Sequence, residues 1–279
     1  MRWRLAVLVA AATCGASALA APAASPLAGT GAFLASVQRP DGGFAETGRQ
    51  PDAALTAWSA LGLVAADGPA DARTRALTYL RSAPAVGLSD TDVALLVLAR
   101  VALGDRPEQL VARLRALEPG GSINAEIWVV IALRAAGEPA PQALVRDVLS
   151  AQSRSGGWSW VRGGKADSND TAAAIEALRA AGVGGNPITR GLAALQAFRN
   201  RDGGYALTKG RASDAQSTAW AIQALLACGR RPGSATWRFL SRLRRPDGSY
   251  RYTLAYGTTP VWVTAQVAPA LAGRPYPFA

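Results

Sequence analysis

Histidine is absent from this 279-residue sequence, and cysteine, methionine and lysine are scarce. Without histidine there can be no Ser-His-Asp triad and no imidazole general base at neutral pH. The two cysteines are Cys14 and Cys228, and Cys14 falls in a segment that we expect to be removed. No intramolecular disulfide can then form, so stability must come from a buried core.

Uninterrupted apolar runs long enough to span a bilayer are also lacking. A short one, Leu5 to Ala12, follows Arg2 and Arg4 and precedes Ala18-Leu19-Ala20. This order is typical of a secretory signal peptide. The sequence therefore predicts a signal peptide at residues 1–20, a secreted or extracytoplasmic protein without a stable membrane span, and a single mature domain at residues 21–279.

The sequence has 19 acidic residues against 30 arginines and lysines, which gives a net charge of +11. The arginines are scattered, and no recognition helix or aromatic-basic strand motif accompanies them. We therefore predict no nucleic-acid partner. The basic balance is interpreted as a solvated surface with at most weak attraction to anionic cell surfaces.

A turn motif recurs along the chain. Residues 38–44 and 152–158 both read Gln-x-x-x-Gly-x-aromatic, and weaker copies end at Tyr205 and Tyr250, with Arg199 and Arg244 in place of Gln. The steps from Trp158 to Tyr205 and on to Tyr250 are 47 and 45 residues, a period typical of repeat architectures. We expect the glycines of each turn to end the preceding helix as a left-handed cap.

Each turn is followed by a second helix that is apolar nearly all round, as expected of a helix buried on every side. The first helices, such as Pro107 to Leu117 and Leu144 to Ala151, mix charged and apolar residues. The sequence thus predicts an all-α α6/α6 toroid of six helix hairpins, with the second helices as the inner ring. Their predicted starts are Asp52, Asp90, Asn124, Asp167, Asp214 and Pro260.

The repeated signature resembles the QW repeat of squalene-hopene cyclases and their relatives, which include prenyltransferase β subunits, and it covers the mature chain. The resemblance implies the α/α toroid of the terpenoid cyclase and protein prenyltransferase superfamily. The Gln amide is expected to satisfy backbone groups at a helix end while the aromatic ring packs over the turn. The zinc site of prenyltransferases requires histidine, and no clustered Asp-Asp motif for magnesium and diphosphate is present, so we predict no metal.

The segment Asp167-Ser168-Asn169-Asp170-Thr171-Ala172 resembles the Asp-x-Asp-Asp-Thr-Ala motif of class II terpenoid cyclases, whose middle acid protonates the substrate. Asn169 occupies that middle position here, and an amide cannot donate the proton. Asp167 and Asp170 are the remaining catalytic candidates. In the competing interpretation Asp167 caps its helix, as Asp52 and Asp214 would cap theirs.

The predicted helix starts also place residues at equal height around the ring axis. The residues at the same height as Asn169 predict a polar rim. Burying a carboxylate without a partner is costly, and an open cavity leaves it hydrated. Alternatively, the acids of this column only favour the helix dipole. We expect Trp58, Trp128 and Trp220 to be core fillers. The predicted ligand-binding residues are Asp92, Glu126, Asn169, Gln216 and Trp262.

Several functions remain open. The first is a non-catalytic ligand-binding toroid resembling the helical domain of cobalamin carriers, which implies a cobalamin-like ligand, with the small molecule or a partner domain at the barrel mouth. No other cofactor is predicted. The alternatives are a terpene cyclase-like isomerase using Asp167 or Asp170, an exported carbohydrate-active α/α-barrel enzyme using Asp92 and Glu126 as a carboxylate pair, and a structural interaction domain with a filled barrel.

Overall fold

The computed structural model describes residues 25–278, so the predicted signal peptide and Cys14 lie outside the described residues. These residues form twelve α-helices in two concentric rings. The outer helices are α1 Pro26–Val37, α3 Ala70–Ser82, α5 Glu108–Arg115, α7 Gln142–Ser150, α9 Asn186–Gln196 and α11 Ser234–Leu243. The inner helices are α2 Ala53–Ala65, α4 Asp90–Ala102, α6 Ile123–Ala135, α8 Ser168–Ala180, α10 Ala215–Ala227 and α12 Pro260–Ala272.

The inner ring is closed. Each inner helix packs against the next one in the chain, and α12 packs against α2. The outer helices from α3 onwards pack mainly on the inner helix that precedes them, while α1 packs on α12 and completes the outer layer. The predicted all-α α6/α6 toroid is therefore confirmed. No helix within residues 25–278 has the length and apolar character to cross a bilayer.

The two rings differ in how much of each helix is buried. In α6 every residue from Ile123 to Leu133 is buried, as expected for an inner helix surrounded by neighbours. In α11 the buried residues are Thr236, Phe239, Leu240 and Leu243, a single stripe with helical spacing. The hydrophobic pattern of the sequence thus assigned each helix to its ring.

The Gln of the turn motif connects neighbouring repeats. The Nε2 of Gln152 donates to the carbonyl of Gly156 in its own turn and to that of Pro187 in α9, both at 2.8 Å. Gln38 makes the equivalent pair of hydrogen bonds at 2.9 Å. In these two repeats the Gln amide therefore satisfies backbone carbonyls, as expected, and it also joins the turn to the next outer helix.

A threonine in the following inner helix receives the backbone N–H of each turn aromatic. This contact occurs in four repeats, and each of these hydroxyls is buried. It identifies Thr171 of the 167–172 segment as a structural residue. The pairs are Phe44 with Thr56 at 2.9 Å, Trp158 with Thr171 at 3.0 Å, Tyr205 with Thr218 at 2.9 Å, and Tyr250 with Thr264 at 2.9 Å.

The glycines of the turns do not cap the preceding helix, and that prediction was wrong. Helix α7 ends at Ser150, well before Gly156, whose φ is +90°. A Cβ added to Gly156 would lie 2.5 Å from the carbonyl oxygen of Arg190 in α9. Glycine is therefore required both for the left-handed backbone and for the close approach of the next outer helix.

The N-caps of two inner helices lie before the residues that were aligned with the aspartate caps of the other repeats. Ser89 caps α4 and Ser122 caps α6, one and two residues before the predicted starts at Asp90 and Asn124. Each residue turns about 100° around a helix axis, so an error of two residues moves a side chain to roughly the opposite face. This shift decides which side chains reach the ring axis.

Candidate functional site

A cavity of about 400 Å³ lies on the ring axis at the N-terminal ends of the inner helices. Its size falls in the lower part of the roughly 300 to 1,000 Å³ typical of small-molecule sites. Two layers of side chains line it, one helical turn apart. The upper layer is Ala54, Thr91, Asn124, Asn169, Gln216 and Trp262, and the lower layer is Trp58, Leu95, Trp128, Ala173, Trp220 and Gln266.

Three tryptophans form the base of the cavity. The ring centroids of Trp58, Trp128 and Trp220 lie 5.3 to 5.9 Å apart in edge-to-face contacts. The indole N–H of Trp220 donates to Gln266 at 2.8 Å, so its polar group is satisfied. These residues fill the core, as expected, but they also present apolar surface to the cavity. Edge-to-face packing holds their planes in place, so the wall is preorganised.

The C-terminal segment closes the far end of the ring. Tyr276 is buried beneath the three tryptophans, with centroid distances of 6.0 to 6.3 Å. Its backbone N–H donates to the carboxylate of Glu176 at 2.7 Å, and Phe278 stacks on its ring. Burial raises the pKa of Glu176 well above its ordinary value. The tryptophan cavity is therefore open at one end only.

A chain of hydrogen bonds runs along one side of the mouth. The hydroxyl of Thr91 donates to Oδ1 of Asn124 at 3.2 Å, and Nδ2 of Asn124 donates to Oδ1 of Asp170 at 2.7 Å. Burial and the nearby charge of Asp167 raise the pKa of Asp170 to about 7, although the Asn124 hydrogen bond lowers it. The Asp170 carboxyl therefore keeps its proton to a higher pH than an ordinary aspartic acid does.

Asp167 caps α8, since its Oδ1 accepts the backbone N–H of Asp170 at 2.8 Å. Asp52 and Asp214 cap α2 and α10 in the same way, which confirms the capping interpretation. Asp167 nevertheless also lines the cavity. A capping role and a place in the wall are thus combined in one side chain.

Glu126 does not belong to the rim, and its assignment to the ligand-binding set was wrong. Its carboxyl is fully buried between α6 and α7, where it accepts the N–H of Gly120 at 3.0 Å and faces Asp147. The residue that occupies its place in the cavity is Asn124. The predicted carboxylate pair of Asp92 and Glu126 therefore has no shared cleft, and the carbohydrate-active interpretation has no geometric basis.

The other predicted residues, Asp92, Asn169, Gln216 and Trp262, do line the cavity. Asp92 lies at the mouth and accepts a hydrogen bond from the hydroxyl of Ser89 at 2.6 Å. Asn169, in the position of the middle acid of the cyclase motif, accepts a hydrogen bond from Ser168 at 3.2 Å. Within residues 25–278 no group of three or more Cys, Asp or Glu side chains is placed to hold a metal ion.

The sequence reasoning missed Thr91 and Asn124 as cavity residues, and it missed Tyr276 entirely. The signal for the first two was present, because Ser89 and Ser122 are good N-cap residues and Ser89-x-x-Asp92 fits a capping pattern. No sequence pattern pointed to Tyr276, whose position depends on where the chain turns after α12.

No known protein family matches this chain, and no curated protein sequence matches it. Several solved structures match its fold. A protein from Actinoplanes superposes with a TM-score of 0.67 at 18% identity, covering 89% of this chain and 98% of its own. The type II terpene cyclase MstE from Scytonema superposes with a TM-score of 0.66 at 17% identity, covering 88% of this chain and 96% of its own.

A variant of that cyclase in complex with its substrate, geranylgeranyl dihydroxybenzoate, superposes with a TM-score of 0.63 at 18% identity, covering 88% of this chain and 95% of its own. At these identities the likeness concerns the fold. At the level of the fold, these structures agree with the predicted α/α toroid.

Proposed function

We propose that this protein is an exported, non-catalytic toroid that binds an apolar small molecule of the isoprenoid class. The observation that carries the proposal is the one-ended cavity walled by Trp58, Trp128 and Trp220. Apolar ligands gain most from a preformed wall of large aromatic side chains, which bury area without losing conformational freedom. The substrate held by the structurally similar cyclase, a geranylgeranyl compound, supports the ligand class.

The polar mouth fits a ligand with one polar end. Asn169 and Gln216 present amide groups to the cavity, and Asp170 donates or accepts depending on its protonation. A hydroxyl or carbonyl at the end of an apolar chain would replace water as their partner. The apolar wall then provides affinity, and the mouth fixes the orientation of the ligand.

To test this, the mature chain is titrated with farnesol and with geranylgeraniol. Binding is measured by calorimetry and by tryptophan fluorescence. Trp220→Leu should weaken binding about tenfold, since a loss of about 1.4 kcal/mol of contact corresponds to that factor. Trp237→Leu on the outer helix α11 is the matched control and should leave affinity unchanged. Absence of binding by both probes, or equal effects of the two variants, would reject the proposal.

A second candidate is a proton-initiated cyclase-like isomerase, and the protonated fraction of Asp170 favours it. In this scheme the Asp170 carboxyl gives its proton to an alkene of the ligand, and the tryptophan rings stabilise the resulting cation. The acid strength counts against it. Compared with an ordinary aspartic acid of pKa 3.8, an acid of pKa about 7 makes proton transfer less favourable by about 4 kcal/mol. Binding without chemistry is therefore our first choice.

The two candidates differ in the products they leave. Incubation with squalene and geranylgeranyl substrates, followed by mass spectrometry of the extract, should return unchanged substrate from the wild type. Cyclic products that disappear in Asp170→Asn would establish the enzyme instead. Asn169→Asp restores the middle acid of the motif, and it distinguishes a lost proton donor from a cavity of the wrong shape.

A cobalamin-like ligand and a partner domain that completes the mouth remain predictions from the resemblance to cobalamin carriers. The same titration with cobalamin tests the first of them. Binding of cobalamin in preference to farnesol would replace the isoprenoid class in the proposal.

A further inference from the structure

Charge is distributed unevenly along the ring. Residues 179–278, which contain α9 to α12, carry 14 arginines and lysines but only three acidic residues. Residues 25–178 carry 14 basic and 16 acidic residues. This sector of the toroid therefore has a net charge of +11, whereas residues 25–178 have a net charge of −2.

The three acids of this sector are committed to local structure. Asp214 is buried and caps α10, Asp202 accepts from Ser213, and Asp247 accepts from Ser249. Their three negative charges offset only a small part of the 14 positive charges of the sector. In the other sector, eight ion pairs join side chains of residues 71–162.

Large apolar side chains are exposed around the cavity mouth. All six in the described part of the chain lie in loops that lead into inner helices. Five of them precede α8, α10 and α12, on the side of the mouth that adjoins the basic sector. They are Val86, Trp160, Val161, Leu207, Leu254 and Tyr256, and Tyr256 is 65% exposed.

Trp160, Leu207 and Tyr256 form one edge of the mouth, because the main cavity and a neighbouring groove join them. Trp160 and Leu207 both line the main cavity. Leu207 also lines a neighbouring groove of about 320 Å³ together with Arg211 and Tyr256. Lys209 and Arg211 lie in the same loop as Leu207, and neither side chain has an ion-pair partner among residues 25–278.

We propose that this edge of the mouth docks on a bilayer containing anionic lipids. Leucine, tyrosine and tryptophan side chains enter the interface, where aromatic residues are favoured, while Lys209, Arg211 and Arg251 contact the headgroups. Aliphatic side chains such as Leu254 gain nothing from a dissolved polyanion, but they gain from insertion at the boundary of the acyl chains. The combination of charge and apolar surface thus selects a membrane over a nucleic acid.

The cavity mouth faces the lipid, so an apolar molecule can pass between the bilayer and the tryptophan cavity without crossing water. Docking itself needs no ligand in the cavity, and it therefore stands independently of the function proposed above.

Co-sedimentation of the mature chain with vesicles tests the proposal. We expect binding to vesicles of phosphatidylcholine with phosphatidylglycerol, weak binding to phosphatidylcholine alone, and a decrease as salt is raised. The double variant Lys209→Gln with Arg211→Gln should weaken binding about 25-fold, since each cation near an anionic surface contributes about fivefold. Leu254→Ser with Tyr256→Ser should also weaken it.

Two control variants separate the mouth from the rest of the surface. Arg238→Gln with Arg242→Gln removes the same charge from the exposed face of α11, and it should have a much smaller effect. Val86→Ser removes an exposed apolar residue from the opposite side of the mouth and should leave binding unchanged. Circular dichroism melting verifies that each variant is folded.

Three outcomes would overturn the proposal. They are no binding to the anionic vesicles, equal losses in the mouth and α11 variants, or binding of soluble heparin with no loss in the Leu254 and Tyr256 variant. The last result would identify a simple polyanion surface.

Discussion

Replacing Glu126 by Gln should stabilise the protein at neutral and alkaline pH. The Glu126 carboxyl is fully buried, accepts the N–H of Gly120, and faces Asp147 between α6 and α7. Burial, as the largest cause, and the neighbouring Asp147 raise its pKa from 4.5 to about 7, against the lowering effects of Gly120 and Arg162. One buried oxygen of Glu126 and one of Asp147 lack other hydrogen-bond partners. A proton on Glu126 that is donated to Asp147 explains both observations.

Proton linkage determines how the free energy of unfolding changes with pH. Below pH 4.5 the folded and unfolded chains both hold the Glu126 proton, and the group does not affect stability. Between pH 4.5 and 7 the unfolded chain releases the proton while the folded chain keeps it, so the free energy of unfolding falls as pH rises. Above pH 7 the resulting loss of stability is on the order of 3 kcal/mol. Glutamine is neutral, and its amide can donate to Asp147 while its oxygen accepts from Gly120.

Urea unfolding of wild type and Glu126→Gln between pH 4 and pH 8.5 measures the effect. The two proteins should have similar free energies of unfolding at the acid end, and the variant should be more stable by about 3 kcal/mol at the alkaline end. Glu118→Gln, an exposed change in the neighbouring loop, serves as the control and should show no pH-dependent gain. A variant that is no more stable than wild type at pH 8.5 would show that the fold does not raise the pKa of Glu126.

Three further changes test the packing, each by urea unfolding. Thr218→Val leaves the backbone N–H of Tyr205 buried without a partner and should cost about 1 to 3 kcal/mol. Tyr276→Ala removes the aromatic closure beneath the tryptophans and should cost about 3 to 5 kcal/mol. Gly156→Ala should cost more than about 2 kcal/mol, because it combines a positive φ with a clash against the carbonyl of Arg190.

Each of the three has its own control. Thr189→Val, on the exposed side of α9, should be nearly neutral. Phe278→Ala removes the ring that stacks on Tyr276 and should cost less than the loss of Tyr276 itself. Gly137→Ala has a positive φ with nothing near the added Cβ, so it measures the backbone cost alone. A Gly156→Ala variant as stable as Gly137→Ala would contradict the close-approach argument.

The fold could be predicted from the sequence because the features that determine it are local and repeated. The spacing of Gln152, Gly156 and Trp158, the aspartate caps, and the difference between apolar and mixed helices each depend on neighbouring residues. Six copies of one hairpin can be recognised even when some copies are degraded. Ring closure then follows, since each inner helix needs a neighbour on both sides.

The site could be predicted only in part, because the rotation of each helix about its axis decides which side chains line the cavity. The aspartate-capped helices were aligned correctly, and their residues Asn169 and Gln216 do line the cavity. The serine-capped helices α4 and α6 were aligned one and two residues late, which put Glu126 in the place of Asn124. An N-terminal boundary is the least certain feature of a helix in sequence, and here it decided which side chain faces the axis.

By itself, the sequence determined the ring of helices, its basic charge, the absence of histidine chemistry and the loss of the middle acid at Asn169. Only the tertiary structure placed Asn124 against Asp170, 46 residues further along the chain, and raised the pKa of that carboxyl. The structure alone also brought Tyr276 beneath three tryptophans from different repeats. These contacts join residues that are distant in sequence, and the burial that shifts a pKa or closes a cavity exists only after the ring has formed.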